Sequence, residues 1–203
     1  LHTTSNLSFP DCIKAVSKMP EEEKIKIIKT SCQFMEFYDA PVREFEYPEF
    51  TFELVIAASC FAQLKRHRIA TITVQPYDPN LGVTIPESIR NVGEEKSFLE
   101  IMEKVNDVFN KISKTSPHAS QYILTNAHRR RLLIKVNARE LYHISRLRED
   151  SHAQWDIRNI SSKMSDLARQ VMPLTMMLVG GKDSYPQTYK EIFGRPPKFT
   201  VPD

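Results

Sequence analysis

A change of hydrophobic period near residue 57 constrains the fold of this chain more than any other feature of its sequence. Phe50–Ile56 alternates apolar with polar side chains, and this period of two predicts a half-buried β-strand. Ala57–Lys65 then places its apolar residues at helical spacing. Arg131–Val136 is a second compact strand, and the residues from Asn137 onward again have helical spacing. Two strand–helix units far apart in one chain predict an α+β fold.

The other elements are mostly helical, and no internal repeat divides the chain. A further strand is predicted at Ile69–Val74. Helices are predicted at Asp11–Met19, from Pro20 to near Tyr38, and at Glu94–Ser113, His118–Ala127, Ser151–Val171 and Tyr185–Phe193. We therefore expect a single α+β domain over residues 10–195, with a mixed sheet flanked by long helices. Residues 1–9 are expected to form a linker or frayed N-terminus, and residues 196–203 a tail.

Composition narrows the class of protein. With 41% hydrophobic and 26% charged residues, the 203-residue chain has the balance of a soluble globular domain. A net charge of +3 is too small to indicate nucleic-acid binding. No apolar run approaches the roughly 18 residues that a membrane span requires. Neither a nucleic acid nor a membrane is therefore an expected partner.

Cysteine, histidine and glycine usage argues against several kinds of site. The three cysteines are an odd number without C-x-x-C spacing, which indicates reduced thiols in a cytoplasmic protein. The six histidines show no paired-ligand spacing, so we expect no metal site. The five glycines form neither G-x-G-x-x-G nor G-x-x-x-x-G-K, so a nucleotide would have to be bound by other means.

The segment Asn137–Arg158 places charged and ring-nitrogen side chains on the faces of an amphipathic helix. Arg146 and Asp150 are spaced to form an i,i+4 ion pair. An S-x-x-Q capping box at residues 151–154 predicts a break near Asp150 and a second helix from there. His152 would then lie in the first turn of that helix, where free N–H groups favour an anion. The simpler alternative is a solvated charged helix beside a buried one.

This segment also carries a dense motif, which reads N-A-R-x-L from Asn137, then L-R, then S-H-A-Q-W-D-I ending at Ile157. It resembles the C-terminal signature of the flavin-dependent thymidylate synthases. A second region, Gln63–Arg68, reads QLKRHR and resembles the family segment that ends in R-H-R. A purely structural role for its cations at a helix C-terminus is the alternative. The resemblance covers residues 40 to 190 and implies a divergent member or domain of that α+β family.

The resemblance implies a cofactor, a substrate and an assembly. In that family FAD and deoxyuridine monophosphate (dUMP) stack in a site assembled from several subunits of a homotetramer. The reduced flavin supplies the hydride, methylenetetrahydrofolate supplies the carbon, and NADPH reduces the flavin. The product is dTMP, so the implied process is nucleotide biosynthesis by a methyltransferase. No protein nucleophile adds to the pyrimidine, so a catalytic cysteine is not required.

Matching positions to the family motifs assigns two sets of ligand-binding residues. Those expected to hold FAD are Arg66, His67, Arg68, Asn137 and His152. Those expected to face the nucleotide are Gln63, Arg66 and Arg148. Guanidinium groups suit both tasks, because they bind phosphate groups through charge-assisted hydrogen bonds.

The sequence departs from the family in the loop that follows Arg68. The family motif continues with a serine and an arginine, usually with an acidic residue two places before the serine. Here Pro76 stands at the serine position, Asp78 at the arginine position and Val74 at the acidic position. Proline lacks the N–H that would bind a phosphate oxygen, and aspartate repels a phosphate dianion. This departure implies an impaired nucleotide site and little or no dUMP methylation by this chain alone.

Three explanations of the altered loop stay open. Drift in an unused fold is the simplest, and a retained flavin site with an altered ligand is the second. In the third, a degenerate domain completes the shared sites of an active homologue or of a preceding domain in the same polypeptide. The chain starts at Leu1 rather than methionine, which is compatible with a piece of a longer tandem protein. We expect a homo-oligomer or a pseudo-tetramer with a homologous domain.

Overall fold

The fold is centred on a three-stranded antiparallel sheet. The computed structural model of the chain describes residues 1–199 and contains strands β1 (Glu49–Ala57), β2 (Thr71–Val74) and β3 (Arg129–Asn137). Their order in the sheet is β1-β3-β2, and β3 pairs antiparallel with both neighbours. The expected mixed sheet is therefore wrong in its strand directions, since the central strand runs opposite to both of its partners.

Alternating burial turns one face of the sheet toward the core. Along β1, Phe50, Phe52 and Ile56 are buried, and the residues between them are exposed or half-buried. Ile134 of β3 is fully buried and lies opposite Phe52 on one side and Ile72 on the other. The predicted β1 strand and its buried face are confirmed.

Nine helices accompany the sheet within residues 1–199. They are α1 (Phe9–Lys18), α2 (Glu21–Cys32), α3 (Ala58–Leu64), α4 (Glu87–Asn91), α5 (Glu95–Ser113), α6 (Pro117–Ser120), α7 (Ala138–Arg148), α8 (Trp155–Val171) and α9 (Tyr185–Phe193). Short 3-10 helices lie at His2–Thr4, Arg43–Glu46, Pro79–Leu81 and Gln121–Ile123. The α+β class predicted from the sequence is confirmed.

Helix α7 lies at the centre of the packing, because it follows β3 directly and contacts α8. Its residues Leu141 and Ile144 are fully buried. Leu147 lies three residues after Ile144, a spacing that predicts burial on the same face, but it is 41% exposed. Arg146 instead turns inward, and its Nη1 donates to the Glu36 carbonyl oxygen at 3.2 Å. The buried face of α7 therefore includes a cation.

Two elements in the first two-thirds of the chain are shorter than predicted. Helix α2 ends at Cys32 rather than near Tyr38. The carboxylate of Asp39 accepts the Glu36 N–H at 2.9 Å and closes a turn there, so the helix does not continue. The helix predicted over residues 118–127 is reduced to α6 and the 3-10 turn that follows it.

Helix α8 begins at Trp155, four residues later than the capping box at Ser151 predicted. The reason is a side-chain cap from a different residue. Oε1 of Gln154 accepts the N–H groups of Asp156 and Ile157 at 3.1 and 3.2 Å. The last helix, α9, has the predicted bounds.

The chain beyond α8 supplies part of the core. Met176 is fully buried, and Tyr185 and Tyr189 of α9 are 2% and 1% exposed. Gly181 allows a close approach in this region, because a Cβ at that position would lie 2.8 Å from backbone atoms of Glu149. The C-terminal helix is therefore an integral part of the packed body.

The two ends of the chain were predicted to be a linker and a tail. The expected linker contains an exposed 3-10 turn at His2–Thr4, and α1 already begins at Phe9. In the expected tail, residues 196–199 form neither helix nor strand, and residues 200–203 lie outside the described residues. Across residues 1–199, none of the helices combines the length and the apolar character needed to cross a membrane.

Candidate functional site

Two segments that are distant in the sequence meet beside the sheet. The R-H-R sequence, Arg66–Arg68, lies in the turn between α3 and β2. Asn137 ends β3 and caps α7, because its Oδ1 accepts the N–H of Glu140 at 2.8 Å. Both segments line one open cleft of about 640 Å³, which we call the first cleft.

The first cleft is rich in guanidinium groups. Its basic lining residues are Arg43, Arg66, Arg68 and Arg139. Glu46 pairs with two of these, accepting from Nε and Nη2 of Arg43 at 3.2 Å each and from Nη1 of Arg139 at 2.9 Å. The hydrogen bond from Arg43 is the main cause that lowers the pKa of the Glu46 carboxyl. Four guanidinium groups against the carboxylates of Glu46 and Glu140 leave the cleft with a net positive charge.

His67 lines the first cleft but is buried, with 5% exposure. Nε of Arg148 lies 3.0 Å from His67 Nε2. A guanidinium nitrogen can only donate, so Nε2 accepts and the ring proton is on Nδ1. That Nδ1 lies 3.5 Å from Oε1 of Glu140, a carboxylate that is itself buried. His67 therefore connects the R-H-R turn to both ends of α7.

A second open cleft of about 590 Å³ adjoins the first and shares Arg66 and Arg68 with it. Gln63 and Arg148 also line this second cleft. Nη2 of Arg148 donates to the Gln63 carbonyl oxygen at 3.3 Å, which fixes the guanidinium against the end of α3. The three residues that the resemblance assigns to the nucleotide, Gln63, Arg66 and Arg148, therefore lie together.

His152 lies outside both clefts, exposed in the turn between α7 and α8. Oδ1 of Asp150 accepts the N–H groups of His152 and Ala153 at 3.0 and 3.1 Å, which shapes this turn. The predicted Arg146–Asp150 ion pair is wrong, because Asp150 caps the turn and Arg146 points inward. The predicted place of His152 in the first turn of α8 is also wrong, since that helix begins at Trp155.

Three further residues line the first cleft although they were not predicted from the sequence: Arg43, Arg139 and His143. Arg139 and His143 carried a detectable signal, because they are four residues apart on one face of α7. Arg43 carried no such signal. Only the 3-10 helix that begins at Arg43 brings this side chain to the cleft.

The altered loop after β2 is shaped by contacts of its own side chains. The guanidinium of Arg130 lies between two rings, with Cζ 4.0 Å from the Tyr77 centroid and 5.1 Å from that of Phe61. Oδ1 of Asp78 accepts the N–H of Asn80 at 2.9 Å and so caps the 3-10 helix at Pro79–Leu81. Tyr77 of this loop is therefore engaged by Arg130 of β3, and the loop's carboxylate, Asp78, is engaged as a helix cap.

Cys60 in α3 is fully buried. Burial, reinforced by the negative charge of Asp156, raises the pKa of its thiol to about 12, although Arg148 acts in the opposite direction. A thiol with that pKa is almost wholly protonated near neutral pH, and nucleophilic chemistry requires the thiolate. Cys60 therefore fits a packing role.

Comparisons with known proteins extend these observations. The family model for thymidylate synthase complementing protein matches residues 8–174. A UPF0159 protein of Chlamydia pneumoniae is 31% identical over 175 residues, which cover 85% of this chain and 32% of the relative. The flavin-dependent thymidylate synthase of Sulfolobus acidocaldarius is 32% identical over 143 residues, covering 66% of this chain and 55% of the relative. That of Clostridium tetani is 26% identical over 189 residues, covering 81% and 74%.

The chain corresponds to only part of each of these relatives. This chain spans about a third of the length of the chlamydial relative and just over half of that of the Sulfolobus enzyme. The family match nevertheless covers most of the chain and includes every residue that the sequence assigned to a ligand. Both motifs, QLKRHR and the segment from Asn137, fall within it. The chain therefore belongs to the thymidylate synthase complementing protein family.

Proposed function

We propose that this chain is a flavin-dependent thymidylate synthase-like protein that binds FAD in the first cleft. The observation that carries the proposal is the convergence of Arg66 and Arg68 with Asn137 at the N-terminus of α7. Guanidinium groups bind the oxygens of a diphosphate through charge-assisted hydrogen bonds, and the positive end of the α7 dipole adds to this attraction. The donors present therefore fit the diphosphate of FAD. When bound, the flavin supplies the hydride of a reductive methylation.

The proposed roles differ among the flavin-binding residues. Arg66, Arg68 and Asn137 contact the cofactor from the walls of the first cleft. His67, which is buried in the lining of the first cleft, is proposed to contact the cofactor with its ring, and its Nε2 holds Arg148 in position. His152 is exposed and lies outside the clefts of its own chain, so we propose that it reaches the FAD of a neighbouring copy. This arrangement requires at least one neighbouring copy, and the assembly proposed is a homotetramer, or a pseudo-tetramer with a homologous domain.

The second cleft is proposed to receive dUMP or a related nucleotide, with Gln63, Arg66 and Arg148 facing it. NADPH and methylenetetrahydrofolate are the proposed co-substrates. Neither Pro76 nor Asp78 lines this cleft, but the family motif assigns their positions to the phosphate. Pro76 offers no N–H there, and Asp78 has an exposed carboxylate in place of a cation. The presence of Pro76 and Asp78 therefore leads us to expect weak nucleotide binding and little or no methylation by this chain alone.

A second candidate function is a catalytically inactive flavin-binding or structural partner domain. The contacts of the altered loop favour it, because Arg130 is enclosed by Tyr77 and Phe61 and Asp78 serves as a helix cap. Asp78 thus has a structural use within the loop, and Arg130 of β3 holds the loop through Tyr77. Such a domain would complete a shared site in an active homologue or in another domain of the same polypeptide.

Quenching of FAD fluorescence by the purified protein tests the flavin proposal. We expect saturable quenching, with affinity reduced about tenfold or more in Arg66→Ala, because a charge-assisted hydrogen bond to phosphate is lost. His152→Ala should weaken binding only where copies associate. Arg131→Ala is the matched control, since this guanidinium pairs with Glu53 at 2.6 Å and lines neither cleft. Colourless protein that does not quench FAD at high concentration would remove the proposal.

Tritium release from labelled dUMP separates the two candidate functions. With FAD, NADPH and methylenetetrahydrofolate present, we expect little or no turnover by the wild-type chain. The double substitution Pro76→Ser, Asp78→Arg should increase dUMP affinity if the loop is the cause. Flavin binding without turnover in either protein supports the partner role. Robust wild-type turnover would show that another part of the assembly supplies the phosphate site.

A further inference from the structure

A small chamber adjoins the first cleft beside α7. It has a volume of about 270 Å³ and lies between residues 37–41 and the helix. Ala40, Arg139 and His143 line both cavities, which makes the two neighbours. The aromatic and aliphatic walls of the chamber are Phe37, Tyr38, Pro41, Tyr142 and Leu147.

Arg146 brings a buried positive charge to this chamber and is 6% exposed. Its Nη1 donates to the Glu36 carbonyl, and its Cζ lies 4.6 Å from the centroid of the Tyr185 ring. Nε and Nη2 have no hydrogen-bond acceptor among the described residues. Burial is the main cause that lowers the pKa of Arg146, an effect that the nearby carboxylate of Asp39 opposes. The guanidinium is thus only partly compensated by its surroundings.

The two unpartnered nitrogens form one edge of the guanidinium group. The N–H groups of Nε and Nη2 run parallel and match the two oxygens of a carboxylate. A buried cation whose N–H groups lack acceptors is costly, so the arrangement favours a ligand that brings an anion. Asp39 also lines the chamber, but no hydrogen bond or ion pair joins its carboxylate to Arg146 among the described residues, and its Oδ2 accepts the Glu36 N–H.

We propose that the chamber is a binding site for a small aromatic carboxylate. The carboxylate is bound by the Nε and Nη2 edge of Arg146, and the ring lies against the aromatic and aliphatic walls. The volume suits a single-ring molecule and is too small for a nucleotide. Nε and Nη2 of Arg146 are covered from the open space of the chamber as well as from solvent, so binding requires a wall residue to move and uncover them. Tyr38 and Leu147, at 61% and 41% exposure, are the wall residues with room to move.

Benzoate and benzamide are the probes, since they share size and shape and differ in charge. We expect benzoate to raise the melting temperature of the protein in a saturable manner and benzamide to leave it unchanged, at constant ionic strength. Arg146→Met should fold, because apolar replacements of buried charges are commonly tolerated. It should bind benzoate about tenfold more weakly or worse. Lys163→Ala, which removes an exposed cation from α8, is the control and should behave like wild type.

Leu147→Trp provides a second variant that leaves the cation in place. The larger side chain should narrow the entrance and weaken benzoate binding without changing the circular dichroism spectrum. Equal responses to benzoate and benzamide, or an unchanged benzoate response in both variants, would overturn the proposal. All measurements are made without FAD, so their failure leaves the flavin proposal untouched.

Discussion

At the scale of single residues, the proton on the His67 ring decides how two elements are joined. Nδ1 carries that proton toward Glu140, and Nε2 accepts from Arg148. Both partners lose their contact if the ring is removed, and the carboxylate of Glu140 is 6% exposed. The ring therefore contributes to stability independently of any cofactor.

We predict that His67→Ala lowers the free energy of unfolding by about 1–3 kcal/mol, because the buried carboxylate of Glu140 loses its partner. Arg148, by contrast, keeps the Gln63 carbonyl and an open cleft. Urea denaturation measures this change. His143→Ala is the control, since it removes an exposed ring whose centroid lies 5.9 Å from that of His67. It should change the free energy by less than about 0.5 kcal/mol. Similar losses in both variants would show that the His67 contacts have no special value.

A second histidine, His128, gives the protein a defined pH dependence. It is fully buried, and its Nδ1 accepts the Thr125 N–H at 3.0 Å, so the ring proton is on Nε2, 3.0 Å from Asn106 Oδ1. Burial is the main cause that lowers the pKa of His128 below the ordinary value of 6.5. The unfolded chain therefore takes up a proton near pH 6.5, while the folded chain does so only at lower pH.

It follows that this contribution to stability is complete above about pH 6.5 and declines as the pH falls toward the folded-state pKa. We predict that the wild type loses more stability between pH 7.5 and pH 5.5 than His128→Gln does. The difference in slope is at most about 1.4 kcal/mol per pH unit, the value for one proton. Urea denaturation at several pH values gives both slopes. Identical slopes would contradict the prediction.

At the scale of elements, Asn137 joins a structural task to a proposed binding task. It caps α7 through Oδ1 and lines the first cleft. Asn137→Asp keeps the cap, because aspartate is an equally good N-cap. It also adds a negative charge beside the proposed diphosphate site. One substitution can therefore separate the two tasks.

We predict that Asn137→Asp retains wild-type stability within about 0.5 kcal/mol but binds FAD much more weakly. Asn137→Ala should lose about 1 kcal/mol of stability, because the cap is removed. Denaturation and FAD quenching measured on the same preparations distinguish the two effects. If Asn137→Asp binds FAD like the wild type, this residue lies outside the flavin site.

The elements also show which parts of the fold could be predicted from the sequence. Phe50–Ile56 was predictable because one buried face imposes a period of two on a strand. The prediction of a mixed sheet was wrong, because the relative direction of paired strands depends on partners that are distant in the sequence. The start of α8 was missed because Gln154 caps through its own side chain, which a capping-box pattern does not encode. Arg43 reaches the cleft only through tertiary packing, so no local pattern marked it.

At the scale of the whole molecule, helix α5 has an apolar stripe that the chain covers incompletely. Met102 is its one buried residue, and the other members of the stripe are half-buried: Phe98, Val105, Phe109 and Ile112. The main contacts of α5 are with α4, α6 and the 3-10 turn at Gln121–Ile123, all short elements. Association with a second copy would cover more of this surface. The stripe therefore supports the proposed oligomer.

We predict concentration-dependent association in sedimentation experiments, toward a tetramer. Ile101→Glu should shift the equilibrium toward smaller species, because Ile101 is 54% exposed on α5 and a buried charge opposes association. Lys104→Glu, which also adds negative charge at an exposed position of α5, is the control and should have a weaker effect. A strict monomer over a wide concentration range would count decisively against the proposed assembly.

The buried residues that follow α8 have a practical consequence for anyone who expresses parts of this protein. The family model matches residues 8–174, yet Met176, Tyr185 and Tyr189 complete the packed interior beyond that match. A gene fragment that ends at residue 174 would lack the Thr175 carbonyl oxygen, to which the Tyr142 hydroxyl donates a hydrogen bond. It would also uncover apolar surface that promotes precipitation during purification. Fragments for expression should therefore extend past α9.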